Sequence, residues 1–259
     1  MNIFINIDDR NENANKTKEE LIRICGNSNI NVINSPDNAD IIISIGGDGT
    51  FLKSSNLACG KNILGVNCGT LGYLTEVNPG DLIKAVEDIN TDNYYIEKRM
   101  MLEGEILKEN GDVIKIPPAL NEIAISKNIL GVIRFDVFID EKLINSYTAD
   151  GIIVSTPTGS TAYNLSCGGP ISDPTAHIIT LTPIAPHSII NRSIILSDES
   201  IVELKITELR ENQAFVLYDG NPIEIAVGDS IKIKKSSQST NMIKLNWRSF
   251  IDNIRENIH

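Results

Sequence analysis

A chain of 259 residues, 41% apolar and 22% charged, is long enough for one large domain or two modest ones around a substantial core. Its net charge of −11 argues against a general nucleic-acid surface or an anionic membrane as partner, yet leaves room for a phosphorylated ligand in a local nest of N–H groups. Four dispersed cysteines without a Cys-x-x-Cys pair, a start unlike a signal peptide and no membrane-length apolar run lead us to expect a cytoplasmic protein with reduced thiols and no zinc site.

Residues 2–7 read as a strand, and Thr17, Leu21, Ile24 and Cys25 recur at helical spacing ahead of Gly26, the expected C-cap. Residues 30–33 form a short strand. Ser35-Pro36-Asp37 then turn the chain into a β-branched run at 40–45 that reads as a strand buried on both faces. The run stops at Gly46-Gly47-Asp48-Gly49-Thr50, and Phe51, Leu52, Ser54, Ser55, Leu57 and Ala58 continue as a helix. Glycines here let the backbone take φ > 0 and approach something bulky, while the helix start offers free N–H groups and its dipole to an anion. Asp48 would repel a bare phosphate; it is useful if it holds a metal ion or takes a proton from a nucleophile. The bland alternative is a tight turn with an aspartate cap. Residues 63–67 are strand again and lead into a second glycine turn at 68–74. Asn78 caps a helix with Pro79 at its first position and Leu82, Val86 and Ile89 as its buried stripe. This alternation predicts a parallel sheet covered on both faces, with both glycine turns at the carboxyl ends of strands, where ligands of such sheets sit.

From about Tyr94 the texture changes to strands. Segments 101–107 and 113–116 flank Asn110-Gly111, and 132–139 and 143–147 flank Asp140-Glu141, two hairpin signals. Further strands are expected at 178–181, 201–206, 215–218 (with a turn at Asp219-Gly220-Asn221) and 231–233, together an antiparallel sandwich. Trp247, Phe250, Ile251, Ile254 and Ile258 form the stripe of a last helix. The predicted fold class is α/β plus all-β: a Rossmann-like parallel domain over 1–95, a sandwich-like β domain over 96–240, and a C-terminal strand and helix, 241–259, returning to the first.

Two more stretches carry chemistry. In 148–170 an apolar strand ends in a run rich in small hydroxyls and glycine, including Ser155, Thr156, Thr158, Gly159, Ser160, Thr161 and Ser166, which reads as a lined pocket for a polar ligand. Tyr163 adds an aromatic face suited to a base or ribose. A turn and a capped helix from Ser160 is the plain alternative. Asn121 and Glu122 interrupt an otherwise apolar strand; an amide beside a carboxylate matches an adenine amino edge and a ribose diol, or else marks an edge-strand charge.

These blocks, with Leu181-Thr182-Pro183-Ile184-Ala185-Pro186-His187-Ser188 behind them, resemble the NAD kinase family in its order and over nearly the whole chain. Gly-Gly-Asp-Gly-Thr is shared with phosphofructokinases and with diacylglycerol and sphingosine kinases, whereas Thr-Pro-Thr-Gly-Ser-Thr-Ala-Tyr is far more specific. The resemblance implies transfer of the γ-phosphoryl of ATP, or in some members of polyphosphate, to the 2′-hydroxyl of NAD's adenosine ribose. It implies Mg²⁺ held mostly by substrate oxygens and a homodimer or homotetramer built through the second domain. Asp48 would be the catalytic carboxylate, accepting the proton or orienting the hydroxyl and metal, with Gly49 allowing the approach. Lys53 would meet a phosphate or stand solvated, and Tyr73 would offer a ring where phenylalanine is common. Asn121 and Glu122 would hold the adenosine; Thr158, Thr161, Ala162, Tyr163 and Ser166 would line the site for the rest of NAD. Asp150 would bind the nicotinamide side, with Thr148 in place of a common basic residue, and Ala185 would be a backbone-approach position. His187 reads as structural, His177 and His259 carry no signal, and Asp219-Gly220 reads first as a turn and second as a subunit or metal contact. Competing readings are a lipid or sugar kinase sharing only the glycine–aspartate turn, and a non-catalytic dinucleotide sensor.

Overall fold

The computed structural model describes every residue except 70–71, 129–130, 188–190, 210–212, 246, 248 and 258–259. The first elements are β1 (Asn2–Ile7), α1 (Glu12–Cys25), β2 (Asn31–Ile33), β3 (Ile41–Gly46), α2 (Asp48–Ala58), β4 (Asn62–Asn67), α3 (Leu82–Asn90) and β5 (Tyr95–Leu107). Then come β6 (Val113–Ala119), β7 (Glu122–Lys127), β8 (Ile133–Ile139), β9 (Lys142–Ala149), β10 (Gly151–Ser155) and α4 (Tyr163–Ser166). The chain closes with β11 (Ile178–Ile184), β12 (Ile194–Ser197), β13 (Val202–Leu209), β14 (Ala214–Tyr218), β15 (Asn221–Ile225), β16 (Ser230–Lys244) and α5 (Phe250–Asn257). Two compact units result, residues 1–99 with 239–259, and residues 100–238.

In the first unit the strands run parallel in the order β2-β1-β3-β4, and the end of β16 adds alongside β4, with Asn241 opposite Asn62. Ile3 and Ile5 register with Ile41 and Ile43 on the face that α1 and α3 cover through Ala14, Leu21, Leu82, Ala85 and Val86. Asn6 points the other way, and its amide donates to Ser54 of α2 at 2.8 Å. Helices on both faces explain why β3 alternates no polar residue toward water. Glu76 and Lys244 form a buried ion pair, and Glu76 also accepts the Leu245 N–H at 3.1 Å, fastening the end of β16.

Gly26 is the C-cap of α1, in a right-handed conformation at φ −62°. Two local expectations are corrected. Asn78 precedes a 3₁₀ turn opened by Pro79 rather than α3 itself, and makes no side-chain cap bond. The last helix begins only at Phe250, so Trp247 lies ahead of it, packed on the first unit's core with the Lys84 ammonium 4.5 Å from its ring centre. On α5 itself Asn253 is buried while Ile251 is 69% exposed. Ile258 lies outside the described residues.

The second unit is a sandwich. One antiparallel sheet runs β12-β11-β10-β7-β14-β15; the other joins β9, β8, β13 and the start of β16, with β5 and β6 beside it. Ile123, Ile125, Ile152 and Val154 of the first sheet share a core with Phe135, Val137, Leu204 and Ile233 of the second. Asp140 and Glu141 take φ of 48° and 66° in the two-residue β8–β9 turn, the left-handed pair that matches strand twist. Among the described residues no helix is long and apolar enough to cross a membrane.

Candidate active site

β3 delivers the chain to Gly47, the N-cap of α2, and Asp48 is the first helical residue. Its carboxylate serves another segment: Oδ2 accepts the Tyr73 N–H and Oδ1 the Leu74 N–H, both at 3.0 Å. A Cβ on Gly72 would lie 2.2 Å from Asp48 Oδ1, so glycine there is what lets the second turn close on the acid. Of the glycines in this run Gly46 takes a positive φ, +158°, while Gly47 has φ −100°. What Gly47 and Gly49 do provide is room, since a Cβ on either would meet no protein atom within 4 Å. That open space lies at the start of α2, where the first amides lack intrahelical acceptors and the dipole favours an anion. Tyr73 is half-buried, and burial with the charge of Asp48 raises its hydroxyl above the usual range. Lys53 is exposed on α2. It adds a smaller pull to that of Arg10, whose hydrogen bonds chiefly hold the Asp8 carboxyl below its ordinary value.

In the second unit Asn121 and Glu122 stand at the start of β7, 9% and 8% exposed. Their backbone is gripped from two sides. Thr156 donates its N–H to Asn121 O at 2.9 Å and its hydroxyl to Leu120 O at 2.6 Å. Asp219, in the β14–β15 turn, accepts the amides of Leu120 and Asn121 at 2.8 Å and that of Glu122 at 3.4 Å. The Glu122 carboxyl accepts the Tyr163 N–H, while its buried Oε2 has no protein partner. Burial, and next the charge of Asp219, push Glu122 up to about 8. Burial also raises Asp219, against the opposing pull of its three amides.

The hydroxyl-rich block divides by face. Thr156, Ser160 and Asn164 are buried scaffold, and the Asn164 amide ties Ser160 O to Pro170 O at 3.1 Å each while its oxygen accepts the Thr182 hydroxyl at 2.7 Å. Thr158 is buried with them. Thr161, Ala162 and Tyr163 are half-exposed and Ser166 is exposed, so these four form the accessible side. Asp150 pairs with Lys127 at 2.8 Å. Ala185 takes φ +43°, strained for a residue with a Cβ. Sequence reasoning singled out neither Lys127 nor the grip of Asp219 on residues 120–122, a contact about a hundred positions away with only an Asp-Gly turn to announce it. Among the described residues no three His, Cys, Asp or Glu side chains converge as a metal-binding group.

Family profiles describing the ATP-NAD kinase N-terminal and C-terminal domains match residues 5–94 and 120–245. The NAD kinase of Caldanaerobacter subterraneus subsp. tengcongensis is 42% identical over 225 residues, covering 85% of this chain and 78% of that protein. The NAD kinase of Ruminiclostridium cellulolyticum is 39% identical over 232 residues, covering 88% and 81%. An NAD kinase from Archaeoglobus fulgidus solved in complex with ATP aligns with a TM-score of 0.80 at 25% identity over 99% of both chains. Yeast NADH kinase, solved with NADH, shares the fold at a TM-score of 0.91 and 24% identity, over 100% of this chain and 87% of that one. With both halves of the sequence matched and relatives near 40% identity over most of their length, the chain belongs to the ATP-NAD kinase family of phosphotransferases.

Proposed function

We propose that this chain phosphorylates the 2′-hydroxyl of the adenosine ribose of NAD, with ATP or polyphosphate as donor, giving NADP. The observation that carries the reading is Asp48: an acid fixed by two amides, at a helix N-terminus with empty space above both flanking glycines. The ribose oxygen attacks the γ-phosphorus, the bond to the β–γ bridging oxygen breaks, and the hydroxyl proton passes to Asp48 as ADP leaves. A carboxylate is a poor base for an alcohol, so positioning and the helix-terminal field supply most of the barrier lowering. Lys53 and the first amides of α2 contact phosphate, with the Tyr73 ring beside them. Asn121 and Glu122 hold the adenosine, the partnerless Glu122 Oε2 being reserved for it. Thr161, Ala162, Tyr163 and Ser166 line the remainder of NAD with Thr158 behind them, Asp150 serves the nicotinamide side and Ala185 brings its backbone close.

Mg²⁺ belongs to the reading as a companion of the triphosphate, neutralising charge on the transferring group. In this reading the ion would be borne chiefly by phosphate oxygens. A homodimer or homotetramer through the second unit is supported by the edge strands β9 and β12, where Leu143 and Ile195 are 56% and 57% exposed. Four free thiols fit a reducing cytoplasm. Incubation with NAD, Mg²⁺ and ATP, followed by assay with an NADP-specific dehydrogenase, is expected to yield NADP. Absence of product with ATP and polyphosphate, on NAD and NADH alike, overturns the reading.

A further inference from the structure

Asp219 does something the turn does not need. The β14–β7 ladder ends at Tyr218 opposite Ile123, and one last main-chain bond follows, from Asp219 N–H to Glu122 O at 3.2 Å. Beyond it the Leu120, Asn121 and Glu122 amides have no strand to bond on that side, and the Asp219 carboxylate replaces the missing acceptors. Thr156 meanwhile occupies the carbonyls of Leu120 and Asn121. With amides and carbonyls both engaged, the peptide planes carrying Asn121 and Glu122 cannot rotate, while Glu122 Oε2 stays unengaged. Asp219 holds this place at φ +45°, which Asp and Asn tolerate better than other side chains with a Cβ.

A neutral acceptor would cap these amides without setting a second acid beside Glu122. The groups facing Glu122 are Asp219 from the β14–β15 turn, and Tyr163 and Cys167 from α4 and its end. Only Asp219 adds a like charge that helps keep a proton on Glu122 at neutral pH, so that Glu122 can donate as well as accept.

We infer that Asp219 is a positioning residue for dinucleotide binding: its carboxylate, clamped on the amides of residues 120–122, fixes Asn121 and Glu122 in the arrangement that grips adenosine. This rests on the reading of those two residues as NAD contacts. Asp219→Asn preserves size and the left-handed turn but removes the charge and turns an acceptor oxygen into an amide facing an amide. It is expected to raise KM for NAD about 10-fold or more, to change KM for ATP less than about 2-fold, and to move the pH at which KM for NAD breaks below that of the wild type. Asp219→Ala should be worse for NAD than Asp219→Asn. An unchanged KM for NAD, or equal rises for NAD and ATP with the pH break unmoved, overturns the inference. So does loss of a cooperative thermal melt in both variants, which assigns Asp219 to stability alone. Glu122→Ala separates the two claims: if it leaves KM for NAD unchanged, the adenosine reading fails; if it raises that KM while Asp219→Asn does not, only the positioning role fails.

Discussion

Asp48 and Glu122 are both carboxylates, but their surroundings assign them opposite work. Asp48 takes two amides and faces open space, a setting for an anion that accepts or steers a proton. Asp48→Asn should therefore leave NAD affinity within a few-fold and lower kcat by about two orders of magnitude or more; near wild-type turnover would remove Asp48 from the chemistry. Glu122 takes one amide, is buried, and rises from 4.5 to about 8 through burial first and Asp219 second. A folded-state value above the unfolded one means that the stability this group contributes is complete below about pH 4.5 and is lost as pH climbs through about 8. Glu122→Gln, which cannot ionise, should lack that loss. Its Tm relative to wild type is expected to rise by roughly 5 °C between about pH 5 and pH 9 in the absence of ligand, and a constant difference would contradict a neutral Glu122. Asp48 was singled out in the sequence because it stands among glycines between a β-branched run and a helix, and Asn121 and Glu122 because polar residues interrupt an apolar strand there. Asp219 and Lys127 were not, because what matters is which distant backbone or acid each side chain reaches, and no local spacing encodes that.

At the scale of elements, the parallel half was legible because β3 is a buried, isoleucine-rich run ending in glycines and the helices keep a clean stripe, as in Leu82, Val86 and Ile89. The hairpins at Asn110-Gly111 and Asp140-Glu141 were legible for their turn chemistry. β16 was legible only at its two ends: 231–233 and a strand after 241 were read separately, yet one strand runs unbroken to Lys244 through Ser236, Ser237, Gln238, Ser239 and Thr240. That polar stretch is strand because neighbours pair with it and accept its hydroxyls, as Glu103 does for Ser236 at 2.7 Å, an effect of tertiary context that propensity does not see. The last helix misled because the 3.6-residue stripe was run back to Trp247, which precedes α5, and counted Ile251, which is exposed, while Asn253 is the buried residue. Packing between elements also makes a prediction. The turn before α4 lies so close to Asn121 that a Cβ on Gly159 would stand 2.1 Å from the Asn121 carbonyl oxygen. Gly159→Ala must push that carbonyl away and tilt the Asn121 side chain with it. A loss of about 1–3 kcal/mol in stability and a KM for NAD raised about 10-fold are expected, with KM for ATP little changed. A destabilised variant with normal KM for NAD would show that the turn and the adenosine contacts move independently.

The whole molecule carries a net charge of −11, yet both substrates of the proposed reaction are anions. In the proposed reading, attraction has to come from short-range sources within each unit: in the first, the first amides of α2 and the exposed Lys53; in the second, a Glu122 that keeps its proton. Those act over a few ångströms and change little with salt, whereas repulsion from the distant acids extends over about 30 Å at 0.01 M ionic strength and only about 8 Å at 0.15 M. The two ranges separate in one titration. Raising KCl from about 10 mM to about 150 mM at fixed Mg²⁺ should increase kcat/KM for NAD and for ATP by about 2- to 3-fold, with kcat nearly constant, because encounter is eased and the chemistry is untouched. A site governed by a broad basic field would show a steep fall over the same range. The magnitude should be larger for ATP, which is the more highly charged of the two. Equal effects on the two substrates, or a fall for either, would mean that the local positive groups dominate the long-range field and that the acidic surface plays no part in substrate approach.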